Sequence, residues 1–349
     1  MLALVAALAP VAPETIERWF STGAYPVIQR QLTPLSNALP FAWLDLFALG
    51  ALVLVVIILA RAVKTVRRTR RAAPLLRAVV ALTTAAAAVY LVFLLLWGFN
   101  YRRVPMSGRL VILPGAPSAD AVTALGVEAT AELNALYDGA HREGWTTPPE
   151  ENQRLRRAFA DVQRMLSDAP SASPGRLKAT LFGPYFRWTG VDGMINPFGL
   201  EVLGNPDLLP FERPFIAAHE WAHLAGYAYE SEASFVGWLT CMQAGVPARY
   251  SGWLFLYWQI NGELDAAARV QLAEALHAGP RQDINAIVER LQRGQQPWLR
   301  MAGWRIYDQY LKANRVEEGV RSYDAVVTLI LQARFDPGWV PLRRVAADR

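Results

Sequence analysis

Two long apolar runs stand out from a chain that is otherwise patterned for amphipathic helices. Phe41 to Ala60 is broken only by Asp45 near one end, and Ala78 to Phe99 carries no charge at all. Each is long enough to cross a bilayer core of about 30 Å. Buried helices of a soluble core are the alternative, but soluble helices of this length keep a polar stripe. Trp43 and Trp97-Gly98-Phe99-Asn100-Tyr101 add aromatics of the kind that gather at membrane–water boundaries. Residues 13–40 mix aromatic, charged and turn residues, which predicts a short amphipathic helix and a connector lying near a membrane surface. Residues 1–12 are apolar, but Pro10 makes them a poor spanning helix; they read as the remnant of a signal-like segment or of a further span.

After the second run, residues 101–118 are a linker bearing proline and glycine. Apolar residues then recur at three- and four-residue intervals, predicting helices over Ala119–Tyr137 and Asn152–Met165. His141 falls in a polar turn between them. Residues 174–210 are aromatic and glycine-rich, including the stretches Leu181 to Gly193 and Met194 to Val202, and predict short extended segments forming a small sheet or hairpin. Helical patterning returns from 253 to 275, where Trp253, Phe255, Tyr257 and Trp258 are expected to pack on the preceding helices. It continues over Asp283–Arg293, Trp298–Val316 and Ser322–Phe335, with a linking turn at Arg315–Gly319.

The pI near 9.4 hints at nucleic-acid binding until the charges are placed. Seven basic residues (Arg61, Lys64, Arg67, Arg68, Arg70, Arg71, Arg77) lie between Arg61 and Arg77 with no acid among them; without them the net charge of +5 becomes −2. The basicity is local and sits between the two apolar runs. The positive-inside rule puts that loop in the cytoplasm, so the segment before residue 41 and everything after residue 100 are expected to be extracytoplasmic. Nucleic acid is not an expected partner; a lipid bilayer is. Cys241 is the only cysteine, which excludes an intrachain disulfide and a cysteine-based metal site.

The candidate chemistry lies in Ala218-His219-Glu220-Trp221-Ala222-His223-Leu224-Ala225-Gly226, followed by Glu230 and Glu232. His219 and His223 are four residues apart, so on a helix both rings leave one face. That spacing suits two imidazole ligands on a zinc ion, with Glu220 between them as general base. Pro214 is placed to open the helix and Gly226 to end it, giving roughly residues 214–225. A tetrahedral zinc needs a third protein ligand. In one unbroken helix Glu230 would lie about 10 Å along the axis from His223. A turn at Gly226 removes that obstacle and lets Glu230 return on a second helix over residues 230–243, with Glu232 as the alternative ligand. His141 and His277 are further options in principle, without surroundings that resemble a site. Tyr250, in Arg249-Tyr250-Ser251-Gly252, is a candidate oxyanion stabiliser.

Ordered short matches run through most of the chain. They include Trp19 to Pro26, Leu39-Pro40-Phe41, Trp97 to Arg102, Trp188 to Val191, His219 to Phe235, Arg249 to Gly252, Tyr310 to Asn314 and Gly319 to Tyr323. In these the sequence resembles the DUF3810 family, bacterial membrane proteins regarded as zinc-metallopeptidase-like. The family pattern E-x-E-A-N reads here Glu230-Ser231-Glu232-Ala233-Ser234, with Ser234 in place of the amide. It is also similar to the E-x-x-A-D of gluzincin peptidases, whose first glutamate is a ligand; that likeness implies Glu230 as third ligand.

The sequence therefore predicts a mainly α protein in three parts. Residues 1–40 are an N-terminal extracytoplasmic segment, 41–100 two transmembrane helices with the basic loop 61–77, and 101–349 a mostly helical zincin-like domain with a small hairpin or sheet near the H-E-x-x-H helix. The expected activity is that of a zinc metallopeptidase of the bacterial inner membrane, multi-pass and with its catalytic domain outside the cytoplasm. Its substrates would be proteins or peptides, His219, His223 and Glu230 its metal ligands and Glu220 its base. The alternative is a zinc-binding membrane scaffold or sensor without turnover.

Overall fold

The computed structural model describes residues 3, 6, 7, 9–314 and 325–344. The predicted turn at Arg315–Gly319 and the adjoining ends of its two helices lie outside the described residues.

The chain is mainly helical. Helical segments Pro13–Ile16, Glu17–Ala24 and Tyr25–Ala38 (α1) follow one another without a break. The middle segment is a π-helix, in which the Thr22 hydroxyl donates to the Glu17 carbonyl five residues back at 2.7 Å. This region is more than a surface connector. The polar side chains of α1 point inward: Gln29 donates to the Ser173 carbonyl, Thr33 to the Leu200 carbonyl and Tyr25 to the Leu224 carbonyl. Hydrogen bonding is what makes this burial of polar groups tolerable.

The two apolar runs form Trp43–Thr69 (α2) and Ala73–Leu96 (α3), both long and apolar enough to cross a membrane. They outrun the predicted spans on the basic side, because the Arg- and Lys-bearing residues after Ala60 simply continue the α2 helix. Arg70, in the left-handed region at φ 55°, ends it. At the other end, the first backbone N–H groups of α2 have no partner within the helix. The Glu201 carboxylate caps them, accepting from Trp43 at 3.0 Å and Leu44 at 2.8 Å.

Helices Ala119–Glu143 (α4) and Gln153–Leu166 (α5) follow. The Asn152 side chain caps α5, accepting from the N–H groups of Arg154 and Leu155. The helix then buries Leu155, Ala158, Phe159, Val162 and Leu166 along one face. α4 runs past the expected turn and takes His141 with it, stopping only at Gly144 with φ +73°.

A three-stranded sheet comes next: Leu177–Lys178 (β1), Gly193–Asn196 (β2) and Glu201–Gly204 (β3), in the order β1-β3-β2. β1 runs parallel to β3, while β2 and β3 form the predicted hairpin, with Gly193 opposite Gly204 and Asn196 opposite Glu201. One expected extended stretch is instead a short helix, Gly183–Thr189 (α6). Pro184 fits its first turn and Gly190 ends it in the left-handed conformation.

The remaining helices are Arg213–Leu224 (α7), Glu230–Met242 (α8), Val246–Glu263 (α9), Ala266–Ala275 (α10), Ala278–Gly294 (α11), Pro297–Ala313 (α12) and Ala325–Gln332 (α13). A two-stranded ladder, Phe335–Asp336 (β4) with Val340–Pro341 (β5), closes the described chain. α7 and α8 lie at the centre, and nearly every residue of α8 is buried. One apolar core joins Tyr25, the α3 end residues Phe93, Leu94 and Trp97, and the central helices. As predicted, Trp253 and Phe255 pack on the central helices: Trp253 lies edge-on to Trp238, and Phe255 stacks on Phe215 with centroids 3.7 Å apart. Trp258 is exposed instead.

A candidate metal centre

The centre is built by a helix that stops and another that starts. α7 carries His219 and His223 on one face. Its last turn is held by groups from outside the helix: the Trp97 indole donates to the His223 carbonyl at 2.9 Å, and Tyr25 to the Leu224 carbonyl at 2.7 Å. The chain reverses at Gly226, whose φ of +86° suits glycine. A Cβ there would also come within 2.9 Å of the Asn100 side chain, so two constraints select glycine. α8 then opens at Glu230.

That turn brings three donors together. Glu230 Oε2 lies 3.2 Å from His219 Nε2 and 3.4 Å from His223 Nε2. The three ligand atoms lie within 4.8 Å of one another and could hold one metal ion. Glu232, the alternative ligand, is turned elsewhere: it accepts from the Met106 N–H at 2.5 Å and faces Arg109 at 3.7 Å.

Each of the three is oriented from behind. His223 Nδ1 donates to the Tyr227 carbonyl at 2.8 Å, which directs Nε2 toward Glu230. His219 Nδ1 is 3.2 Å from the Ser234 hydroxyl. Ser234 thus supplies the contact behind His219. Glu230 Oε1 accepts from the hydroxyl of Tyr307 on α12.

Charge follows this arrangement. Burial works against the charged form of Glu230, yet the two imidazoles hold its carboxyl well below the usual range. Burial also opposes charge on His223, but Glu230 and Glu220 outweigh it and raise the pKa to about 9. At His219 burial prevails and the pKa falls.

Glu220 sits beside the three, buried, with Oε2 lacking a hydrogen-bond partner among the described residues. Burial, with the negative charges of Glu230 and Asp192, pushes its carboxyl up to about 8 against the pull of His223. β2 runs close above it: a Cβ on Gly193 would lie 2.7 Å from Glu220 Oε1. Behind, Arg290 bridges Asp192 at 2.9 Å and Glu212 at 2.7 Å.

The other sequence candidates lie elsewhere. The Tyr250 hydroxyl is committed to Asp283 at 2.6 Å, and His141 Nε2 meets the same carboxylate oxygen at 2.8 Å. Neither turns toward His219, His223 and Glu230. His277 precedes the first residue of α11, and its N–H donates to Asn134. A cleft of about 430 Å³ lies between residues 143–149, β1 and the start of α9, but none of the three ligands lines it.

Sequence reasoning missed Tyr307 and Gly193. Tyr307 had one available signal, its place in a helix that also carries Tyr310 and the buried Leu311. Gly193 had none, because a glycine in a glycine-rich stretch does not announce what crosses above it.

The family described as "Protein of unknown function (DUF3810)" matches residues 20–331. No curated protein and no solved structure matches the chain.

Proposed function

The chain belongs to the DUF3810 family, and we propose that it is a membrane-anchored zinc metallopeptidase, with His219, His223 and Glu230 as ligands and Glu220 as general base. The observation that carries this reading is the pair of distances about Glu230 Oε2, 3.2 and 3.4 Å. Ligands about 2.0–2.1 Å from a tetrahedral zinc are separated by about 3.3–3.4 Å. Two imidazoles and a carboxylate are also a usual catalytic set that leaves a fourth position open. The Nδ1 contacts of both histidines and the Tyr307 bond to Glu230 supply the supporting shell that such ligands need.

A zinc ion held there would polarise a scissile carbonyl and make water a nucleophile near neutral pH. The chain's own residues supply the rest. Glu220, with its free Oε2, takes the proton from the attacking water and delivers it to the leaving amine. β2 is an edge strand of its sheet and passes against Glu220 at Gly193. An extended peptide added to that edge would have its backbone held by main-chain hydrogen bonds beside the base.

The anchoring part of the reading is that α2 and α3 cross the bacterial inner membrane with their basic turn in the cytoplasm, leaving the metal centre outside. The hydropathy of the two helices and the position of the seven basic residues support it. The test uses the purified full chain, loaded with zinc and incubated with a diverse peptide library. Hydrolysis that disappears in Glu220→Gln is expected. Zinc retained without Glu220-dependent cleavage would leave a metal-holding scaffold.

A further inference from the structure

α12 is a helix with little to bury. Leu311 is fully buried, but Trp298, Met301 and Ile306 are 66, 58 and 70% exposed. It packs on α6: the Gln296 N–H donates to the Trp188 carbonyl at 2.9 Å, and Gly303 approaches Tyr185 and Thr189 so closely that a Cβ would lie 3.3 and 3.2 Å from them. Tyr185 and Trp188 of α6 are themselves exposed, as is Leu181 just before it, at 77%. Both helices thus carry exposed apolar and aromatic side chains, interspersed on α12 with Arg305 and Lys312. Patches of this kind mark contacts with a partner or a membrane.

The surface adjoins the ends of the two spanning helices. The Asp45 carboxylate, in the first turn of α2, accepts from the Leu181 N–H at 3.1 Å and the Thr180 hydroxyl at 2.6 Å. Phe47, one turn along the first span, stacks on Phe198 of the domain at 4.7 Å. At the other helix Phe93, near the end of α3, packs edge-on against Tyr310 of α12 at 6.3 Å. α6 is thus tied to the start of one span and α12 to the end of the other. Arg300, Arg305 and Lys312 on α12, against Asp308, give it the basic bias of a helix lying on anionic headgroups.

We propose that α6 and α12 form a shelf that rests in the outer interfacial zone of the bilayer crossed by α2 and α3, and that the metal centre acts on polypeptide segments held at that membrane surface. α12 also carries Tyr307, which bonds Glu230, so the helix in the interface is the one that supports the centre. The substrate class rests on the peptidase reading above; the shelf rests only on its anchoring part.

Depth measurement tests the shelf without metal. Cys241 is buried, so a cysteine introduced at an exposed position can be labelled selectively. Leu181→Cys and Met301→Cys, with Val270→Cys on α10 as an exposed control, are labelled with a small environment-sensitive fluorophore. The full chain is reconstituted in vesicles of phosphatidylethanolamine and phosphatidylglycerol. Labels at 181 and 301 are expected to be quenched by lipids carrying a spin label high on the acyl chain and to be several-fold less sensitive to aqueous iodide than the label at 270. Iodide sensitivity equal to that at 270 overturns the shelf. For the substrate class, one cleavable sequence is offered tethered to the vesicle lipid and free in solution. At least tenfold faster cleavage of the tethered copy is expected, and equal rates overturn the class. Failure to cleave either copy, with the labels still buried in lipid, overturns the peptidase reading and the substrate class with it, and upholds the shelf.

Discussion

Replacing Gly193 by alanine tests how closely the sheet controls Glu220, the proposed base. The new Cβ would lie 2.7 Å from Glu220 Oε1 and 3.1 Å from Cδ and Cγ. Optimal non-bonded contact for such atoms begins at about 3.5 Å, so the carboxylate must retreat by about 0.8 Å. The backbone does not resist the change, since Gly193 is outside the left-handed region. Nor should stability fall much, because the clash is with the far end of a flexible side chain. Misplacement of a catalytic group by about 1 Å can cost about 100-fold in rate, or about 2.7 kcal/mol of barrier. The assay is kcat/KM on a cleaved library peptide, with zinc content measured on the same preparation. We expect Gly193→Ala to lose about 100-fold in kcat/KM while keeping its zinc. An unchanged rate would refute the placement of Glu220 beneath β2, and loss of zinc would show that the strand supports the ligands rather than the base.

Three further outcomes follow from contacts of buried side chains. Tyr307→Phe removes the donor to Glu230 Oε1 and should weaken zinc binding by about 10–100-fold, read by competition with a chromogenic chelator. Glu201→Gln leaves the buried Lys178 ammonium, 2.9 Å from Glu201 Oε2, without its counter-charge; denaturation of the detergent-solubilised chain should show a loss of about 3–5 kcal/mol. Glu212 titrates with a folded pKa raised to about 7, because burial outweighs the attraction of Arg290 and Asp192 repels it. A raised folded value means that the native chain binds the extra proton between about pH 4.5 and 7. Stability should therefore fall as pH rises through that window, and thermal melts of Glu212→Gln should lose that part of the slope.

Much of the geometry of the candidate centre was legible because it is local. His219 and His223 need only helical spacing, and the return of Glu230 needs only Gly226 in the left-handed conformation. The structure starts α7 at Arg213 and α8 at Glu230, within a residue of the expected bounds. The two long apolar helices were legible for the same reason, since twenty apolar residues are a one-dimensional signal. What escaped was contact between distant segments. Nothing in Tyr25, Trp97 or Glu201 shows that one holds the Leu224 carbonyl, another the His223 carbonyl, and the third caps a long apolar helix. α6 was misread for a different reason: the aromatic, glycine-rich composition favoured short extended segments, while the Pro184 and Gly190 boundary signals favoured a helix and prevailed. Tyr250 drew notice through its motif, but its partner Asp283 lies 33 residues further on and takes the hydroxyl away from the centre.

The central claim is that His219, His223 and Glu230 bind zinc as a unit beside a base that is not itself a ligand. Metal analysis of the purified full chain and its variants, after dialysis against a weak chelator, tests this most directly. The account predicts one zinc ion per chain in the wild type and in Glu220→Gln, and none in His223→Ala or Glu230→Ala. Zinc retained in the His223→Ala and Glu230→Ala variants, or lost in Glu220→Gln, would contradict it.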